Sequence, residues 1–420
     1  MKVTVIDALM GTGKTSYAIQ LINEAPASTK FIFVTPFLDE IDRVIEAVPT
    51  RKFKEPDVKH GEGRKLESLK KLLKDGADIC TSHALFAMAD EEVKELLQYE
   101  NYVLIMDEVM SPISQVKLKK NDIEVMLDSN LIHIHEDGQV KWIAGEDHQS
   151  GYDTIKYYAL AGNLYRSNKT TFFWNFPASI FDMFEQTFIL TYMFEGQLQK
   201  YYYDYHGVQY EKKSVIQEYV VLDGQQNGRY KLVDYFQEDK SKYKDLINIY
   251  EGDLNDIGEK DFSLSMGWYK KSSPVRLKKL KDALYNYLRN LQGAKSDEIL
   301  WTTFVDYNGA LKSNGFSKGT VKKKKPDKSG KHCYVPFSTR ATNRYKHKSV
   351  LAFCVNRFVN PSDAEFFAQR GIVIDEDMLA LSDMLQWIFR SRIREGKPIE
   401  IYIPSKRMRT LLQKWLDGEM

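Results

Sequence analysis

With 420 residues, 43% of them hydrophobic and 28% charged, the chain has the material for two globular domains, each with its own core. A net charge of only +2 excludes any argument for nucleic-acid binding from overall charge, so such a site would have to be a local concentration of cations. No apolar run reaches the length of a membrane span. The three cysteines (Cys80, Cys333, Cys354) lack metal or disulfide spacing, so a cytoplasmic protein without a membrane anchor is expected.

The first element is the strand Val3–Ile6, followed by Ala8-Leu9-Met10-Gly11-Thr12-Gly13-Lys14-Thr15 and then a helix from Ser16 to Asn23. Strand, glycine turn, Lys-Thr and helix stand in the order of a phosphate-binding loop. Gly11 and Gly13 let successive backbone N–H groups turn toward an anion, and the positive end of the helix dipole adds to them. Met10 to Ser16 are therefore the expected nucleotide-binding residues, with Lys14 on the outer phosphates and the Thr15 hydroxyl on Mg. Ala8 stands where the general motif has its first glycine.

Short apolar strands then alternate with amphipathic helices. Phe31–Thr35, Ile79–Thr81, Tyr102–Met106, Thr171–Trp174 and Thr187–Thr191 read as strands, and Leu66–Lys74 and Glu91–Gln98 as helices. The alternation predicts a parallel sheet flanked by helices. Leu131–His135 and Gln139–Ile143 flank Glu136-Asp137-Gly138, a hairpin expected as an insertion on that sheet. His133 and His135 share a strand face and, without further ligands nearby, read as ordinary hairpin residues. The strand Tyr102–Met106 ends in Asp107-Glu108. At the carboxyl end of a parallel strand, Asp107 is suited to hold Mg and Glu108 to activate an attacking water.

The pattern weakens in the Tyr- and Lys-rich stretch after Tyr201, which places a domain boundary between 205 and 206. The second half restarts at Tyr219–Leu222. It continues through a polar segment (Gln237–Lys260), a basic helix (Val275–Leu291), a strand (Ile299–Val305) and a lysine-rich loop (Lys318–Lys331). Further strands are read at Ser349–Val355 and Glu400–Ile403, with the helix Leu379–Ile393 between them. In that helix Gln386, Arg390 and Arg394 recur at four-residue spacing and are expected on one face, with Arg392 elsewhere. Such arginines can stabilise charge on a transferring phosphate.

The ordered set of motifs resembles a superfamily 2 helicase. Ala8–Thr15 is similar to motif I, Phe33–Pro36 to Ia, Thr81-Ser82-His83 to a later DNA-contact motif, Asp107–Met110 to II and Leu190–Tyr192 to III. Leu300–Phe304 is similar to motif IV, Ser338–Asn343 to V and Gln386–Arg394 to VI. Within the superfamily the loop and the Asp-Glu-Val-Met-Ser run look most like phage replication helicases and herpesvirus origin-binding helicases. The Asp-Glu-Val-Met ending and the lack of room for an upstream adenine-reading glutamine depart from the common RNA helicases. Motif VI lacks the usual glycines, which leaves open which of Arg390, Arg392 and Arg394 is the arginine finger.

The resemblance implies two RecA-like domains, 1–205 carrying motifs I to III and 206–420 carrying IV to VI, with ATP and Mg between them. It implies Lys14, Glu108, Gln386, Arg390 and Arg394 as catalytic residues, and Thr35, Pro36, Thr81, Ser82, His83 and Thr303 on nucleic acid. The expected activity is ATP-driven movement on, or unwinding of, single-stranded or forked DNA by a monomer. The expected setting is the cytoplasm of a bacterial host, alongside other replication proteins. A packaging-type P-loop motor and an ATP-gated DNA clamp that remodels without unwinding are the alternatives.

Overall fold

The structure, a computed structural model, describes residues 3–36, 38–61, 64–119, 121–145, 147–168, 171–222, 225–318, 329–339 and 344–420. The chain divides into two compact units, 1–8 with 12–235 and 360–374, and 9–11 with 236–359 and 375–420. These limits differ from the expected 1–205 and 206–420, because the stretch 206–235 and the later segment 360–374 both pack with the first unit.

Among the described residues the first unit is built on twelve strands. They are β1 (Val3–Asp7), β2 (Lys30–Thr35), β3 (Ile79–Ser82), β4 (Tyr102–Asp107), β5 (Ile113–Val116), β6 (Ile132–Ile134), β7 (Val140–Trp142), β8 (Leu164–Asn168), β9 (Thr171–Asn175), β10 (Gln186–Thr191), β11 (Tyr210–Leu222) and β12 (Gln225–Asp234). Seven of them form one sheet in the order β12-β11-β1-β10-β4-β2-β3, parallel except for the β11–β12 pair. Val3–Asp7 and Tyr102–Asp107 are buried at every position, as parallel strands covered on both faces must be. On one face Ile6, Phe33, Ile105 and Phe188 pack with Ala18 and Ile22 of the helix Lys14–Glu24 and with Ile41 and Val44 of the helix Leu38–Ala47.

Between β4 and β10 lies a small subdomain. The hairpin expected around Asp137-Gly138 is present as β6–β7, with Gly138 at φ 85°. It shares a core (Met126, Ile132, Val140, Leu164, Phe172) with the antiparallel sheet β5-β9-β8. The segment Thr171–Trp174, expected in the parallel sheet, is therefore the middle strand of this insertion. It reads like a core strand because both its faces are covered: Phe172 points into the subdomain core, and Phe173 packs on Phe366 with ring centroids 5.0 Å apart. Phe366 lies on the returning helix Pro361–Ala368, capped by Asn360, whose Phe367 meets Tyr201. Tyr219–Leu222, expected to open the second domain, is the end of β11 in the first unit.

Among the described residues the second unit has its own four-stranded parallel sheet, β13 (Ile247–Ile249), β14 (Ile299–Thr302), β15 (Val350–Phe353) and β16 (Ile399–Tyr402), in the order β13-β16-β15-β14. Ser273 caps the helix Pro274–Tyr285, with proline in its first turn, and Asp375 and Ser405 cap the helices Glu376–Ile388 and Lys406–Leu416. Leu280, Leu284, Tyr287, Trp301 and Tyr402 fill the core. Trp387 is fully buried and its indole N–H donates to the Val335 carbonyl at 3.0 Å. Trp387→Phe keeps most of the apolar volume but orphans that carbonyl. We expect a loss of about 1–3 kcal/mol in a urea titration, rising to about 3–5 kcal/mol for Trp387→Ala. Among the described residues no helix is long and apolar enough to cross a membrane. Both units are α/β with parallel sheets flanked by helices, the RecA-like arrangement expected from the alternation of elements.

Candidate functional site

The site of the first unit is assembled at the carboxyl ends of its parallel strands. Beyond β1 the backbone turns with Gly11 at φ 92° and Gly13 at φ 100°, a region costly for any side chain, and the helix starts at Lys14. Lys14 Nζ donates to the Ala8 carbonyl, which folds the ammonium back over its own loop. Two strands along, β4 ends in Asp107, whose Oδ1 accepts from the Thr15 hydroxyl at 3.4 Å. Distant sequence positions thus meet where the motifs predict, Lys14 and Thr15 from one loop, Asp107 and Glu108 from the other.

The carboxylates are in unequal settings. Burial, then the charges of Glu108 and Glu40, push the Asp107 carboxyl up to about 7. Glu108 is held at φ 66°, uncommon for a residue with a side chain, by its N–H donating to the Leu190 carbonyl at 2.9 Å. Its Oε2 is buried and meets no hydrogen-bond donor among the described residues. A strained backbone that aims an unsatisfied carboxylate oxygen marks a site built for something other than stability.

Several supports carried no signal in the sequence. Asp7 ends β1, and its carboxylate accepts from the N–H groups of Met193 (2.8 Å) and Phe194 (3.0 Å), locking the turn after β10; burial raises its pKa. Gln199 accepts from the Met110 N–H at 3.0 Å and donates to the Tyr203 hydroxyl at 2.7 Å, so it anchors the chain just after Glu108. His83 donates from Nε2 to the Asp107 carbonyl at 3.0 Å. A buried Asp and a buried Gln look like any others in a linear sequence; only the strand order reveals them.

The expected nucleic-acid residues fare differently. Thr35 and Thr81 are 0% and 1% exposed at strand ends, where neighbouring strands close over them. Ser82 spends its hydroxyl capping the short helix His83–Phe86, and His83 is turned to Asp107; Pro36 is half-buried. In the second unit Thr303 is fully buried and donates to the Tyr269 hydroxyl at 3.0 Å. The Ser82 and Thr303 hydroxyls are thus engaged within the fold, while those of Thr35 and Thr81 are buried without a hydrogen-bond partner among the described residues. Of the expected motif V, residues 340–343 lie outside the described residues, as do the whole lysine run 322–325 and Lys328.

The arginine segment is also rearranged. The helix ends at Ile388, because the Ser391 hydroxyl donates to the Ile388 carbonyl at 2.7 Å and caps a separate turn, Arg392–Glu395. Gln386, Arg390 and Arg394 therefore do not share a helical face. Gln386 is buried with its amide toward Ser382, Arg390 is buried, Arg392 donates to the Pro398 carbonyl in its own loop, and Arg394 is exposed.

Fold and site together define a protein of two RecA-like α/β units, with Lys14, Thr15, Asp107 and Glu108 gathered at the carboxyl ends of strands of the first. Comparison with known sequences identifies its kin. The model of the YonV C-terminal Rossmann-like domain matches residues 241–416, and that of the YonV middle domain matches 113–174, the limits of the insertion between β4 and β10. The SPbeta prophage-derived uncharacterized protein YonV of Bacillus subtilis (strain 168) is 41% identical over 432 residues, covering 100% of this chain and 99% of its own. The chain belongs to the YonV family. These family models, and not those of phage replication or herpesvirus helicases, are the ones that match. Among solved structures, Xpd4 of S. tokodaii shares the fold at a TM-score of 0.52 and 11% identity, covering 100% of this chain and 94% of its own.

Proposed function

We propose that this protein is an ATP-driven helicase or translocase acting on nucleic acid, DNA in the first place, in phage replication or recombination. The observation that carries the reading is the meeting of Lys14 and Thr15 with Asp107 and Glu108 at one end of the first sheet. The order of motifs along the chain and the second RecA-like sheet support movement rather than simple hydrolysis, and the prophage origin of the Bacillus relative supports the setting.

The residues fit Mg. A carboxylate whose pKa is raised by burial and then by neighbouring acids gains from a cation, and the Thr15 hydroxyl stands beside it. Thr15 and Asp107 would hold the ion, which would neutralise charge on the outer phosphates of ATP. Backbone N–H groups of Gly11 to Thr15 cradle those phosphates, and Lys14 exchanges the Ala8 carbonyl for a phosphate oxygen. Glu108 orients the attacking water and accepts its proton. Of the three arginines, Arg394 is the exposed one.

The test is the ATPase rate against a panel of single-stranded, duplex and forked DNA and of RNA. We expect stimulation by single strands, and loss of at least about a hundredfold in Lys14→Ala. Equal rates with and without nucleic acid would sink the motor reading. An active Lys14→Ala would sink the site.

A further inference from the structure

Thr303 of the second unit is buried and offers no surface to a polyanion in this structure. A cleft of about 860 Å³ lies among residues 256–279, walled by Lys260, Lys271, Arg276 and Lys279 and by the aromatic rings of Phe262 and Trp268. All four cations are exposed, and none has an ion-pair partner among the described residues, although nearby Lys278 pairs with Asp282 and Lys406 with Glu259. Asp256 and Asp261 are the carboxylates of the same cleft, so positive charge prevails by four to two.

The cleft is built, not merely left open. Its floor loop carries Leu264 at φ 60°, fully buried. Asn356, three residues beyond β15, holds that loop. Its Nδ2 donates to the carbonyls of Asp261 (2.7 Å) and Ser263 (3.0 Å), and its N–H to that of Leu264 (2.9 Å). Arg407 in turn donates to the Asn356 side-chain oxygen at 3.1 Å. Gly258 lets the loop approach so closely that a Cβ there would lie 1.7 Å from the Pro404 carbonyl oxygen. The short helix Met266–Lys270 is pinned by the Tyr269 hydroxyl, which donates to the Cys354 carbonyl at 2.8 Å and accepts from Thr303. Thr303 thus acts behind the cleft wall.

Phe262 faces outward from this frame, while Trp268 is half-buried against the core. Phe262 is 70% exposed, backed by Phe358 at 5.6 Å between centroids, and the Arg276 guanidinium lies 5.8 Å over the Trp268 ring. Unpaired cations suit a polyanion, and an exposed ring backed by a second ring suits an unstacked base. A duplex hides its base faces, and an acidic peptide offers none.

We propose that this cleft binds single-stranded nucleic acid, with Lys260, Lys271, Arg276 and Lys279 on backbone phosphates and Phe262 stacked on a base. The assignment rests on the motor reading above and names its binding surface. It lies at the carboxyl ends of the second sheet, the side on which open α/β sheets take ligands.

The experiment is fluorescence anisotropy of labelled 20-nucleotide oligothymidine, its RNA counterpart and a duplex with the full chain over a salt series. Lys271→Gln with Lys279→Gln should weaken binding and flatten the log–log salt slope by about 1.4, about 0.7 per phosphate contact removed. Phe262→Ala should cost about tenfold on single strands with the slope unchanged, and Phe262→Trp should restore binding. Lys278→Gln, on the same helix but paired, should bind as wild type. Affinity for a fluorescent ATP analogue monitors folding of every variant. Wild-type affinity in the double variant and in Phe262→Ala, with stimulated ATPase intact, overturns the cleft and leaves the motor reading standing. A wild-type chain that neither binds oligonucleotide nor responds to it overturns both. Equal binding of duplex and single strand, indifferent to Phe262, overturns the stacking role.

Discussion

Replacing Glu108 by glutamine is expected to lower kcat for ATP hydrolysis by about two to four orders of magnitude while leaving nucleotide affinity within a few fold. The geometry gives the reason. Glu108 follows the last residue of β4, its backbone held at φ 66° by a hydrogen bond to Leu190, and its Oε2 meets no donor among the described residues. A carboxylate oxygen kept dry and unsatisfied is available to accept a proton from water. Glutamine fills the same space and leaves Lys14, Thr15 and Asp107 in place, but it has no such basicity. Single-turnover hydrolysis separates chemistry from product release, and titration with a fluorescent ATP analogue reads binding. A variant that hydrolyses ATP at the wild-type rate would remove Glu108 from the mechanism. One that fails to bind nucleotide would make it structural.

The second large effect is expected at Asp107, where activity and stability should move in opposite directions. Asp107→Asn is expected to abolish Mg-dependent hydrolysis and, without nucleotide, to stabilise the protein at alkaline pH. The sign follows from linkage. The carboxyl has an ordinary value of 3.8 and is pushed up to about 7 in the fold, chiefly by burial and then by Glu108 and Glu40. The folded state therefore holds the proton more tightly than the unfolded state. That contribution is fully present below pH 3.8, is lost progressively as pH rises toward 7, and leaves an ionised, poorly solvated group above it. Asparagine does not ionise. Its advantage should be near zero at pH 4 and grow to roughly 2–4 kcal/mol by pH 8, the worth of about three pKa units. Thermal denaturation of both proteins across pH 4–8 checks this. A difference independent of pH would mean that Asp107 is not ionising against its surroundings. Mg with ATP should raise the midpoint of the wild type at pH 8 and leave the variant nearly unmoved.

The two predictions use residues that could be named before any coordinates, and the reason is local chemistry. A phosphate loop is contiguous, so Gly11, Gly13, Lys14 and Thr15 show their spacing in the chain itself, and Asp107-Glu108 closes a run of six buried strand residues. Where helical geometry was extrapolated, it failed at Ser391: a hydroxyl satisfying the Ile388 carbonyl stops the helix, and the periodicity of Gln386, Arg390 and Arg394 no longer describes a face. For the threonines the deciding factor is burial. Thr35, Thr81 and Thr303 sit at strand ends as expected, but whether a strand-end hydroxyl faces solvent depends on what packs over it, and all three are covered. Thr171–Trp174 was legible as a strand and illegible as to its sheet, since Phe366, almost two hundred residues away, covers one of its faces.

What the sequence by itself determined is the set of elements whose causes are local: the parallel strands, the hairpin at Gly138, the glycine turn at Gly11 and Gly13 that leads into Lys14 and Thr15, and the carboxylate end of β4. Tertiary structure alone decided which residues support them. Asp7 under the Met193 turn, Gln199 behind Glu108, the return of residues 360–374 to the first unit and Asn356 beneath the cationic cleft all join segments far apart in the chain. Hydrogen bonds and burial act between neighbours in space, and the order of strands in a sheet, which the chain does not display, sets who those neighbours are.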